Sequence, residues 1–119
     1  EFHTPGTINI LVFTNKALTD SAMVKAIMTI TEAKTAALQD WKVESTQDFP
    51  KYNTHIVHSL AKETTTSATG TATDGIILTI NTNGDVLTDA GSYSLFGDTL
   101  AKAVYLGVQR ALENAIGTE

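Results

Sequence analysis

The stretch "TINILVFT", residues 7–14, is short, rich in β-branched residues and nearly free of polar ones. Such a run predicts a strand buried on both faces, as in a parallel sheet covered by helices. It opens after Pro5-Gly6, a turn signal. A second run of the same kind, "DGIILTIN" at residues 74–81, ends in the turn-like "NTNGD". Between the two, from Ser21 to about Asp40, Met23, Ala26, Ile27, Ile30, Ala33, Ala37 and Leu38 recur at helical spacing, and Thr19 or Asp20 can cap the start. After the second run, Phe96, Leu100, Ala101, Val104, Val108, Ala111 and Leu112 form another helical stripe, from Ser94 to about Ala115. The order strand, helix, strand, helix predicts an α/β fold, a small sheet with parallel strands and helices packed on it. Its C-terminal strand edge is where open sheets of this class bind ligands. A faint echo supports the repeat, because "FTNKALTD" follows the first strand and "NTNGDVLTD" the second. Residues 41–66 show no clear period and carry no firm assignment; "HIVHSLAKE" is compatible with a short helix and "ETTTS" is loop-like.

At 119 residues the chain fits a single α/β domain spanning residues 1–119, or one lobe of a larger one. Two parallel strands are too few for an independent sheet. Either residues 41–66 add strands, or the chain pairs with another copy or with a missing lobe. Apolar residues at 42% and charged residues at 18% mark a globular chain. The net charge of -5 is spread without a basic face, which argues against nucleic acid as a partner. No apolar run nears the roughly 18 residues of a membrane span, and the N-terminus lacks a signal-peptide plan, so the expected location is cytoplasmic. With no cysteine, covalent chemistry falls to a hydroxyl or a lysine. No cofactor or metal is expected, and Glu1-Phe2 carries no structural weight.

The segment "TSATGTATD", residues 66–74, crowds hydroxyls and small residues ahead of the second strand. Thr69, Gly70, Thr71 and Thr73 let a backbone approach a ligand closely, with amides converging on an oxygen; the alternative is a polar loop with Thr chosen for strand entry. Asp74, where loop meets strand, can orient a hydroxyl, accept a proton from water, or simply bond nearby amides. Lys34 projects into the apolar stripe of the first helix. It either snorkels past the helix end or holds an anionic or carbonyl group in a cleft. If it belongs to a cleft, Lys34→Met should weaken ligand binding while leaving stability nearly unchanged or raised. Glu32 projects to the opposite side as a solvated charge. His55 and His58 make at most half a metal site, and Ser59 or Ser67 with His58 and Asp74 lacks the strand–turn–helix motif of a triad.

Four strings in one order, "PGTINI", "TEAKTAAL", "ATGTATD" and "AG" followed by "FGDTLAKAVY", resemble the C-terminal half of the adenosylcobinamide amidohydrolase family over roughly residues 5–115. The resemblance implies a corrinoid-salvage hydrolase that cleaves the amide joining aminopropanol to the corrin side chain, leaving adenosylcobyric acid. Asp74 or another carboxylate would then activate water while amides around Gly70 and Thr71 hold the oxyanion, with Thr69 or Thr71 as nucleophile in a less favoured variant. The implied substrate-binding set is Gly70, Thr73, Lys34, Glu32, Asn9 and Tyr93. Against the family pattern, no counterpart of its N-terminal half is present, Ala72 stands at a usual Gly, and Tyr93 and Leu95 stand where His and Lys are common. Those departures keep two alternatives open, a corrinoid-binding module without hydrolysis and a structural lobe needing a partner chain.

Overall fold

The structure, a computed structural model, describes residues 6–41 and 68–116. The elements run β1 (Asn9–Phe13), β2 (Ala17–Leu18), α1 (Asp20–Asp40), β3 (Gly75–Thr79), β4 (Val86–Leu87) and α2 (Leu95–Ile116). β1 and β3 pair in parallel, Asn9 beside Gly75 and Phe13 beside Thr79. The expected parallel α/β arrangement is therefore present. β2 and β4 were not expected as strands, yet they too pair in parallel, Ala17 with Val86 and Leu18 with Leu87. They fall within the echo, so "ALTD" and "VLTD" lie side by side as equivalent halves of two strand–turn–strand–helix units. The calls on residues 42–66 lie outside the described residues.

Burial along the strands corrects one expectation. β1 alternates exposed and half-buried residues instead of burying both faces. Ile10, Val12, Ile76, Leu78 and Ile80 turn toward the helices, while Leu11, Phe13 and Ile77 remain exposed on the other side. The cause is that, among the described residues, the core lies against one face. It combines that face with Leu18 of β2 and with the inner stripes of α1 and α2, including Ala26, Ile30, Leu100, Val104 and Val108.

Thr19 caps α1, its side chain accepting from the Ala22 amide, which satisfies one of the free donors of the first turn. The buried face of α1 is Ala22, Ala26, Thr29, Ile30, Ala33, Lys34, Ala37 and Leu38; Ile27, expected within it, is exposed. Four alanines in that face let α2 approach closely, and the two helices pack against each other. The buried Thr29 hydroxyl donates to the Ala90 carbonyl at 2.7 Å, tying the loop before α2 to α1.

Gly97, in the first turn of α2, fits because it has no side chain. A Cβ there would strike the Gly91 carbonyl oxygen and stand 2.6 Å from that of Ala90. Both are backbone atoms, and Ala90 is held by Thr29, so neither yields cheaply. Gly97→Ala is expected to cost about 1–3 kcal/mol. Gly107, in the same helix, has nothing within 4 Å of the equivalent point. Gly107→Ala should stabilise by about 0.5–1 kcal/mol. Urea unfolding of the two variants against the parent checks the contrast in sign.

Candidate functional site

The hydroxyl-rich loop enters β3 from its N-terminal end, and the second half of α1 reaches the same end. The candidate site therefore lies at the edge opposite the one expected from open α/β sheets. Lys34, whose side chain is only 10% exposed, donates from Nζ to Asp74 Oδ2 at 2.6 Å. This replaces the snorkelling expectation, since the ammonium is held by a carboxylate of the chain itself. Asp74 Oδ2 also accepts from the Thr71 amide at 3.0 Å, and Asp74 Oδ1 accepts from the Thr71 hydroxyl. The Thr71 amide is thus engaged with Asp74 instead of facing an oxyanion.

Two further hydroxyls fasten the loop on either side of Thr71. Thr7 Oγ1 donates to the Thr73 carbonyl at 2.9 Å, and Thr35 Oγ1 donates to the Thr69 carbonyl at 3.3 Å. Neither was picked out from the sequence. Thr35 follows Lys34 directly, so its place one step along the same helix was the available signal. Gly70 is required here for space, because a Cβ would come 2.5 Å from Asp74 Oδ2 and 2.8 Å from Lys34 Nζ.

Of the remaining expected residues, Asn9 stands at the start of β1 beside Gly75, the neighbour of Asp74. Its Oδ1 lies 3.1 Å from where a Gly75 Cβ would be. Glu32 is exposed on α1, as its helical projection predicts. Tyr93 is fully exposed in the turn before α2, in the same loop as Gly91, which packs on Lys25. Lys34 is nine residues beyond Lys25, about 13 Å along the helix axis. Asp74, Thr71, Gly70 and Lys34 therefore form one cluster with Thr69, Thr73 and Asn9 around it, and Tyr93 lies apart. His55, His58, Ser59 and Ser67 lie outside the described residues.

Partial burial by itself would raise the Asp74 pKa, but the Lys34 ammonium and the Thr71 hydroxyl and amide outweigh it and hold the carboxyl below its ordinary 3.8. The sign follows directly. A depressed folded pKa contributes stability that is fully present above about 3.8 and is lost as pH falls through the lower folded value. Stability measured between neutral pH and pH 2 should therefore show an acid limb that is weaker in Asp74→Asn. Identical limbs in parent and variant would remove Asp74 from acid unfolding.

A cation, a carboxylate and a hydroxyl bonded in series beside a fastened loop can accept and return a proton next to a bound carbonyl group. The sequence profile of adenosylcobinamide amidohydrolase matches residues 1–119, the whole chain. The chain belongs to the adenosylcobinamide amidohydrolase family. It is also similar to an uncharacterised protein of Methanocaldococcus jannaschii, 39% identical over 107 residues that cover 90% of this chain and 36% of that protein. The chain thus spans little more than a third of the length of this relative. No solved structure matches it. Among the described residues, no helix is long and apolar enough to cross a membrane.

Proposed function

We propose that the chain takes part in hydrolysis of the amide that joins aminopropanol to the corrin side chain of adenosylcobinamide, leaving adenosylcobyric acid. The observation that carries this reading is the bonded series Lys34–Asp74–Thr71 at an open sheet edge, in a chain matched along its whole length by the amidohydrolase family. A buried lysine and a partly buried carboxylate are costly to desolvate, and a loop needing only a local turn would not require them. In this reading Asp74 takes the proton of the attacking oxygen, and Lys34 holds the Asp74 carboxylate charged and in place. The test is incubation of the chain with adenosylcobinamide, following aminopropanol and adenosylcobyric acid by mass spectrometry. Stoichiometric appearance of both supports the reading; tight corrinoid binding with neither product overturns it.

A second reading, a lobe that acts only beside a partner, is favoured by the exposed Leu11, Phe13 and Ile77 on the outer face of β1 and β3. Parallel sheets are ordinarily covered on both faces. Under that reading the isolated chain releases no aminopropanol, and activity appears when the rest of a longer relative is supplied.

A further inference from the structure

The geometry points to Thr71 as the nucleophile of a two-step hydrolysis, with the acyl group carried on its hydroxyl as an ester between the steps. This inference rests on the amide-hydrolase reading and extends it, because it replaces direct attack by water with a covalent intermediate.

Among the described residues three threonines stand in the loop, and their hydrogen bonds separate them. Thr69 and Thr73 contribute carbonyls, which accept from Thr35 and Thr7. Among the described residues, Thr71 is the one whose hydroxyl donates to the Asp74 carboxylate. Its proton therefore already faces a base, the arrangement a hydroxyl nucleophile needs. The other carboxylate oxygen is occupied by Lys34 Nζ at 2.6 Å and the Thr71 amide at 3.0 Å. Asp74 is thereby held with Oδ1 toward the hydroxyl. A water acting instead would have to compete with Thr71 for that oxygen.

Access and rigidity agree with the assignment. Thr71 is exposed, so a bulky corrinoid can bring a side-chain amide to it, whereas the ion pair behind it is nearly covered. The carbonyls two residues before and two residues after Thr71 are each fastened by a hydroxyl, one from α1 and one from the residues just ahead of β1. Such bracing keeps a reacting atom in position without reorganisation during the reaction.

The steps balance as follows. The Thr71 O–H proton passes to Asp74 as Oγ1 forms a bond to the amide carbon. The tetrahedral adduct collapses, the C–N bond breaks, and Asp74 returns the proton to the departing nitrogen, so aminopropanol leaves as the amine. Water then adds to the ester carbon and gives a proton to Asp74. On the second collapse the ester C–O bond breaks and that proton returns to Thr71 Oγ1. One water is consumed, and one acid and one amine are produced.

The experiment uses the intact chain, Thr71→Val and Thr71→Ser, each with its thermal unfolding recorded. With adenosylcobinamide, acid quench of the parent should trap protein heavier by the acyl corrinoid, and digestion should place the adduct on the peptide containing Thr71. Thr71→Val should lose aminopropanol release by on the order of a thousandfold or more, with Thr71→Ser retaining part of it. Thr71→Val releasing aminopropanol at the parent rate, or an adduct on another residue, overturns the nucleophile while leaving the hydrolase reading in place. A parent chain that releases none, alone and with the rest of a longer relative supplied, overturns both.

Discussion

Asp74→Asn is expected to lower aminopropanol release by on the order of a hundredfold or more, with a modest change in corrinoid affinity. The side chain keeps its size, and its amide oxygen can still accept a hydrogen bond. What it loses is the negative charge that pairs with Lys34 and receives the Thr71 proton. That proton transfer belongs to the transition state, so the loss should appear in turnover and barely in binding. Single-turnover rates and equilibrium binding on the same preparation separate the two. A variant that folds normally and turns over at the parent rate would remove Asp74 from the mechanism, and its carboxylate would be a local cap of the loop.

Lys34→Met should destabilise the fold by about 2–3 kcal/mol, at or below the roughly 3–5 kcal/mol that breaking a fully buried pair costs, because Asp74 is only partly buried. Side-chain exposures of 10% for Lys34 and 17% for Asp74 leave little water to screen the carboxylate that remains. The two bonds from Thr71 survive the change and keep the cost from being larger. Removing both charges, in Lys34→Met with Asp74→Leu, should recover most of the loss, because the isolated buried charge is the damaging state. Denaturant unfolding of the two single variants and the double variant measures the coupling. Additive effects would mean that the pair contributes nothing to stability. This expectation reverses the one drawn from the helical pattern, where Lys34 stood as a charge without a partner.

The difference between those expectations shows how far local pattern reaches. Strand and helix identity was legible because β-branched runs and three- and four-residue apolar spacing are properties of consecutive residues. The parallel direction of β1 and β3 followed from the helix between them, which carries the chain back before the second strand. β2 and β4 escaped notice because each has two residues, too few for any period, although the shared "LTD" marks both. Ile27 and the outer faces of the strands were misassigned since an apolar residue records what can be buried, not what meets it.

For the candidate site, sequence by itself determined the chemical inventory: hydroxyls around Gly70, a carboxylate at Asp74 and an out-of-pattern lysine at Lys34. Tertiary structure decided their partnership. Lys34 and Asp74 are 40 residues apart, and only packing of α1 against the sheet brings Nζ to the carboxylate. It also decided the edge of the sheet, the bracing of the loop by Thr7 and Thr35, and the separation of Tyr93 from the cluster. The physical reason is that a hydrogen bond or ion pair acts over about 3 Å in space. Distance along the chain carries no record of it.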